Sequence, residues 1–420
     1  MKILIISEFF PTRGKLEFTG GVEARNYFVG KYLAARNNIT VITTLQKGSK
    51  KQETISGINV IRIGKGTNYK ASASALASRI NFIKQAISVG SKIKPDIVEG
   101  TNFITHFIAL KIAKINNIPS VAWYPDVWIG SWLKNAGLIG VLGEILERYN
   151  LSQKFNTYIA ISQQTRTKLK KYIGSNVSVI NCGVDPTEFI LSEKTLAFKP
   201  GMIGESSEKE NIQCHASRNA GLTPGFSPGK FIPQSPRPKV TKILTISRLV
   251  KYKNIKDLIL AAALLKKGGH KTKLIIIGRG PEEKSLKELA SQLKLNETVE
   301  FKSNLTRKNL VAEIKSSSIF CLPSSVEGFG IAILEAGAAG IPSVLSDIPV
   351  FEEVTKGWQG SLKFPVNNIT ELTSQLSKLL EIKKLYLAKS KEAKILAQKY
   401  SWKDIAQKTE EVYQSALSQK

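Results

Sequence analysis

Cysteine is scarce in this chain: Cys182, Cys214 and Cys321 are the only three in 420 residues. They have neither metal-ligand spacing nor a disulfide framework, which predicts a reducing, cytoplasmic compartment. Long apolar runs are missing too. The opening Met1-Lys2-Ile3-Leu4-Ile5-Ile6-Ser7 is too short for a signal peptide and reads as a buried first strand. The stretch Leu258 to Leu265 falls far below the roughly 20 residues of a membrane span. No Gly-x-Gly-x-x-Gly follows the first strand, which disfavours a dinucleotide-dependent oxidoreductase. No Asp-x-Asp pair occurs, so the usual carboxylate bridge from a divalent ion to a diphosphate is missing and no metal site is expected. Acidic residues are few, 33 Asp and Glu against 61 Lys and Arg, for a net charge of +28. Residues 1–190 hold 25 basic and 11 acidic side chains and the remainder 36 and 22, so the excess is evenly spread. With no basic tail and no aromatic-basic interleaving, that spread argues against nucleic acid. It suits peripheral contact with anionic lipid headgroups, or simply lysine-rich solvated faces.

What is present is the composition of a soluble globular protein, 42% hydrophobic and 22% charged, in a chain long enough for two α/β domains. Strand patterns at Ile3–Ile6, Ile39–Ile42, Val60–Ile63, Asp96–Val98, Ser120–Trp123, Thr157–Ile161 and Ser178–Ile180 alternate with helical ones. One helix opens at Gly20-Gly21-Val22, another near Ser78, and a third spans Ala109–Asn116. The scheme repeats at Lys242–Ile246, Lys273–Ile277, Val299–Phe301, Ile319–Leu322 and Ser343–Leu345. Such alternation predicts parallel sheets covered on both faces. The fold class is therefore α/β, two doubly wound Rossmann-like domains with an interdomain cleft and ligands at the carboxyl ends of the strands. Residues 199–238 hold six prolines, five glycines and five serines with no strand or helix period, and read as a flexible insertion. Cys214-His215 within it has no further ligands around it that would make a metal site.

The most informative stretch is Glu327-Gly328-Phe329-Gly330-Ile331-Ala332-Ile333-Leu334-Glu335, which follows the apolar strand at Ile319–Leu322. Strand, glycine loop and helix place Glu327 in the loop and Glu335 about 6 Å inside the helix. Both acids then flank an anion site at a helix N-terminus, where free amides and the helix dipole favour a phosphate. That combination suits a sugar nucleotide, with hydroxyls at both ends and a diphosphate between. Alone, an acid pair at this spacing is more often a solvated helix face. Ser247-Arg248-Leu249-Val250-Lys251-Tyr252-Lys253-Asn254 follows the first strand of the second half, so Arg248 can fork onto phosphate oxygens and Lys253 can add a point charge. Gly278-Arg279-Gly280 is a tight turn, Asn181-Cys182-Gly183-Val184-Asp185 closes the first half, and Gly20-Gly21 permits close backbone approach to a ligand.

Taken together and in order, these motifs resemble the retaining GT-B glycosyltransferases of the large family-4 type, over nearly the whole chain except 199–238. That family includes mannosyl- and glucosyltransferases and sucrose-phosphate synthases. The resemblance implies that Arg248 and Lys253 neutralise the donor diphosphate and that Glu335 holds the nucleotide ribose. It implies that Glu327, with Gly328 and the backbone of Phe329-Gly330-Ile331, holds the sugar, and that Gly20 and Gly21 sit against the donor phosphates. It also implies that the last helix crosses back to the first domain. Residues 1–190, completed by 404–420, would form the acceptor side, 191–240 the insertion, and 241–403 the nucleotide-sugar-binding domain. There are two departures. Asn254 replaces a glycine, and asparagine tolerates a left-handed turn. In Tyr124-Pro125-Asp126-Val127-Trp128, Pro125 stands where the family has a histidine near the donor sugar. Asp126 remains as an acceptor or donor contact, and His106 reads better as a structural residue than as a replacement.

The resulting expectation is a metal-independent, retaining hexosyltransferase that needs no cofactor beyond its nucleotide-sugar co-substrate. Its acceptor would be a glycan, a lipid-linked glycan or another glycoconjugate. The rival is a catalytically weakened, transferase-derived glycan-binding or scaffold protein, suggested by Pro125. The stretch Trp128 to Tyr149, with Trp132, Leu138, Ile139, Val141, Leu142, Ile145 and Leu146, reads equally as an acceptor- or membrane-facing helix and as a plain core helix.

Overall fold

The computed structural model describes residues 1–13, 16–18, 20–46, 48–64, 73–133, 137–174, 176–189 and 240–419. Apart from Val240, the expected insertion at 191–240 lies outside them, as does Cys214-His215.

The described residues of the first half hold eight strands: β1 (Lys2–Ile6), β2 (Asn38–Thr44), β3 (Gln52–Ile55), β4 (Ile58–Ile63), β5 (Ile97–Gly100), β6 (Ser120–Tyr124), β7 (Thr157–Ala160) and β8 (Val177–Val179). They lie in the order β3-β4-β2-β1-β5-β6-β7-β8. From Ile3 onward β1 is buried on both sides, as a central parallel strand must be. The second half has β9 (Thr241–Ile246), β10 (Thr272–Ile277), β11 (Val299–Lys302), β12 (Ile319–Leu322), β13 (Ser343–Ser346) and β14 (Ser361–Phe364), ordered β11-β10-β9-β12-β13-β14. All pairings in this sheet are parallel. Two Rossmann-like sheets in one chain make the GT-B architecture. Strand order reverses between β1 and β5 and between β9 and β12, and ligands of open α/β sheets bind at such reversals.

Three readings are corrected by the structure. The first sheet is not wholly parallel, because β3 runs antiparallel to β4. Ser56 and Gly57, both at positive φ, make the two-residue hairpin turn; the polar Gln-Glu-Thr start of β3 conceals the strand from an apolar search. The helix assigned to Ala109–Asn116 begins at Phe103. Asn102 accepts from the Thr105 amide (3.1 Å) and Thr105 Oγ1 accepts from the Asn102 amide (2.8 Å), a capping box that opens the helix earlier. Finally, Trp128 to Tyr149 is no core helix. Its described residues hold a turn at Gly137–Ile139 and a helix, Gly140–Ser152, whose outer side is apolar and exposed.

The terminal helix Trp402–Ser418 packs back on the first-half helix Gly21–Leu33, with Phe28 and Trp402 stacked at 5.1 Å and 9°. Tyr413 donates to Glu99 Oε2 (2.7 Å), whose carboxylate also pairs with buried Arg25. Arg25 lies 4.8 Å from the Trp123 ring, so this charge is both paired and stacked. One apolar cluster runs from first-half residues such as Phe28 into Phe329 and Leu334 of the second.

Candidate active site

Both reversal points open on the same cleft. Ser247–Asn254 leaves β9, and Pro323–Gly330 leaves β12 beside it. Gly330 ends the second loop at φ +94°, where a side chain would be strained and a Cβ would come within 3.0 Å of Ile333 Cδ1. The helix Ile331–Ala338 starts there. Across the cleft, a Cβ on Gly21 would stand 3.2 Å from Ile331 Cδ1, so the amino ends of two helices, one from each half, face each other. A Cβ on Gly328 would stand 2.3 Å from the Pro125 carbonyl, so only glycine lets the β6 loop close over the β12 loop.

Lys253 and Glu327 form an ion pair in which the side chains are 8% and 13% exposed. Ser324 Oγ donates to the same Glu327 oxygen (3.2 Å), and Lys253 Nζ also reaches the Val326 carbonyl (3.4 Å). Burial pushes the Lys253 ammonium below the usual lysine range, and Glu327 opposes that shift. Arg248 is exposed at the cleft and donates to the Tyr252 hydroxyl (2.5 Å). Asn254 takes φ +50°, the left-handed turn that its glycine-like position requires. Asp126 accepts from Lys168 Nζ (2.7 Å) and from the Val127 amide (2.8 Å). Burial raises its pKa, Lys168 opposes this, and the Glu327 charge adds to the rise, which ties Asp126 electrostatically to the pair opposite.

Glu335 is buried in its helix and paired with Arg307, the first residue of the helix Arg307–Lys315 after β11. Arg307 also donates to Glu188 of the first half through Nε (3.0 Å) and Nη2 (2.5 Å). Sequence reasoning missed Arg307, Glu188 and Lys168. The usable signal for Arg307 is its place in Leu305-Thr306-Arg307, at the carboxyl end of a parallel strand. The Asn181–Asp185 motif lies against the start of the terminal helix: the Val184 amide donates to the Tyr400 carbonyl (2.7 Å), and Tyr32 donates to Asp185 (3.3 Å).

His106 is structural. It is buried under Tyr124 (4.3 Å), and its Nε2–H donates to the Trp123 carbonyl (3.0 Å). Burial lowers its pKa to about 4, so the ring is neutral near pH 7 and does not reach the cleft in place of the histidine that Pro125 replaces. Glu147, from the helix Gly140–Ser152, accepts from Trp132 Nε1 (2.5 Å) and from the Trp128 amide (3.2 Å), anchoring the loop that begins at Pro125 and Asp126. Burial raises its pKa to about 7 against those two bonds.

The cleft thus sets one exposed guanidinium, one buried ammonium paired with an acid, and a helix amino end around a space bordered by a second helix amino end. Such a set can bind a diphosphate and leaves carboxylates for hydroxyls. Residues 19–188 match the profile of Glycosyltransferase Family 4, and residues 230–396 match Glycosyl transferases group 1. An uncharacterized glycosyltransferase of Methanocaldococcus jannaschii is 24% identical over 99% of both chains. Another, from Haemophilus influenzae, is 31% identical over 41% of this chain and 50% of its own length. Glycogen synthase of Mycobacterium tuberculosis is 26% identical over 54% of this chain and 58% of its own. Among solved structures, sucrose-phosphate synthase of Thermosynechococcus elongatus superposes with a TM-score of 0.77 at 15% identity over 100% of both chains. HepE of Anabaena in complex with UDP and glucose does so at 0.68 and 16%, over 99% of this chain and 100% of that one. Likeness at such identities speaks for the fold, and the profile matches speak for the family. This chain belongs to glycosyltransferase family 4, the glycosyl transferases group 1, and is a GT-B enzyme that transfers a sugar from a nucleotide-sugar donor.

Proposed function

We propose that this protein is a retaining, metal-independent hexosyltransferase acting on a glycan, a lipid-linked glycan or another glycoconjugate at the cytoplasmic face of an anionic membrane. The observation that carries the reading is the convergence of Arg248, the Lys253–Glu327 pair and the amino end of Ile331–Ala338 on one space opposite Gly21. Arg248, Lys253 and the amides of that helix end take the donor diphosphate. Glu327, with Gly328 and the Phe329-Gly330-Ile331 backbone, orients the hexose. Glu335 takes the ribose, and Gly20 and Gly21 border the phosphates. Asp126, on the loop against Gly328, contacts donor or acceptor.

In the transfer, the bond from the anomeric carbon to the diphosphate oxygen breaks and the acceptor oxygen bonds to that carbon from the same face. The acceptor proton passes to the departing phosphate oxygen. The protein then contributes positioning and charge stabilisation and needs no base in the place of Pro125. Cationic side chains stand where a metal ion would otherwise neutralise the diphosphate. Among the described residues no three His, Cys, Asp or Glu side chains group as metal ligands. No helix among them is long and apolar enough to cross a membrane.

The test is a panel of sugar nucleotides, starting with UDP-glucose because HepE was crystallised with it. Proton NMR of the new linkage is expected to show the donor's anomeric configuration, at a rate unchanged by a chelator. An inverted anomer overturns the retaining mechanism, and loss of activity on chelation overturns the metal-free one. Donor binding without transfer or hydrolysis would favour the glycan-binding scaffold that Pro125 suggests.

A further inference from the structure

We infer that the outer face of the helix Gly140–Ser152 and the turn before it is the surface by which this protein docks on an anionic lipid bilayer. This deepens the membrane contact proposed above, rests on it, and names the surface responsible.

Leu138, Val141, Leu142, Ile145 and Tyr149 recur at helical spacing and all point outward, with Leu138 86% and Ile145 60% exposed. The inner side of the same helix is committed elsewhere. Gly140, Gly143, Glu147, Asn150 and Leu151 are buried, and a Cβ on Gly143 would stand 2.5 Å from the Trp132 ring. A stripe of large apolar side chains that stays exposed among the described residues is unusual on a soluble surface and marks an interaction face.

The charges around the stripe select its occupant. Both acids of the helix are engaged away from it. Glu144 accepts from the Gly130 amide (2.9 Å) and pairs with Arg148 (2.7 Å), while Glu147 points inward to Trp132. The neighbouring helix Phe103–Asn116 has no acidic residue. It extends the patch with Phe107, 5.9 Å from Tyr149, and with exposed Ile115, and it adds Lys111 and Lys114 at the edge. Arg148, paired with Glu144, is exposed on the same helix, and Lys154 is exposed just beyond its end. A second copy of a chain with net charge +28 would set this basic rim against another like it, which is repulsive. A bilayer with anionic headgroups attracts the rim and takes the apolar stripe at the headgroup–acyl boundary. Glu147, on the inner side of the same helix, anchors the loop that begins at Pro125 and Asp126, so the docking helix is tied to the Asp126 side of the cleft.

The experiment is co-sedimentation of the full chain with vesicles of equimolar phosphatidylcholine and phosphatidylglycerol, and with pure phosphatidylcholine. The wild type should pellet with the anionic vesicles, less at high salt, and poorly with the neutral ones. L142E/I145E and K111E/K114E should each reduce binding about tenfold or more. Both should keep the wild-type melting temperature and rate of nucleotide-sugar turnover, since the substituted side chains lie on the outer surface. Wild-type protein that stays in the supernatant overturns the membrane contact and the docking surface together. Binding by wild type and both variants alike overturns the surface alone. A wild-type dimer in light scattering that L142E/I145E dissociates, with no vesicle binding, assigns the face to a second copy and overturns the inference.

Discussion

Lys253 and Glu327 satisfy each other in a pair that solvent barely reaches, at the carboxyl ends of the two strands where the second sheet reverses order. Read from sequence, one is a phosphate partner and the other a sugar partner. In the folded chain each is the reason the other can be buried as a charge.

Breaking one side of a buried pair leaves an uncompensated charge, at a cost of about 3–5 kcal/mol. Lys253→Met and Glu327→Gln are each expected to lower stability, and the double variant to lose far less than their sum. Urea denaturation of the three variants checks this. Strictly additive losses would show that the pair does not couple the two sites.

Arg248 is exposed and bonded to Tyr252, so its removal should leave the fold intact. Arg248→Ala is expected to weaken nucleoside diphosphate binding by roughly 1.5–3 kcal/mol, about 10- to 100-fold. Calorimetry that returns wild-type affinity would remove Arg248 from the donor site.

The two acids of the β12 loop and its helix should separate kinetically. Glu335→Gln is expected to raise the donor KM with little change in kcat, and Glu327→Gln to lower kcat more, because a sugar contact also orients the reacting carbon. Arg307 holds Glu335 from the far side and reaches Glu188 of the first half. Arg307→Met should therefore follow the Glu335→Gln pattern, with partial recovery in Arg307→Lys. If both acids affect KM and kcat alike, the division of roles fails.

Glu147 gives a pH signature. Burial raises its pKa to about 7, above its unfolded value near 4.5. The folded state therefore holds an extra proton between those two values. Its contribution to stability is complete below the unfolded pKa and is lost as pH rises through about 7. Glu147→Gln keeps an acceptor for Trp132 and cannot ionise, so its melting temperature should gain on the wild type as pH rises from 4 to 8. In stability, the gain should amount to about 3 kcal/mol at most. A wild-type-to-variant difference independent of pH would mean that the Glu147 pKa does not change on folding.

Much of this was legible in the chain. The apolar runs of β1, β9 and β12 announce central parallel strands because such strands are buried on both faces. The glycine loop before Ile331 announces a helix end because only glycine accepts φ +94° there. Asn254 could be read as a stand-in for glycine for a similar reason. Elements whose identity depends on their partners were not legible: polar β3 needs β4 beside it, and the capping box of Phe103–Asn116 hides in an apolar run with no amphipathic period.

The sequence by itself determined the two-sheet fold, the family and the residue types at the carboxyl ends of the strands, because local periodicity and glycine stereochemistry act over a few residues. Only the tertiary structure decided which charges meet: Lys253 with Glu327, Glu335 with Arg307 and through it Glu188, Asp126 with Lys168. It also decided that His106 is sealed under Tyr124 and that the stripe from Leu138 to Tyr149 faces outward. Ion pairing and burial are set by distances between remote segments, and those distances exist only once both sheets have formed and the last helix has folded back across them.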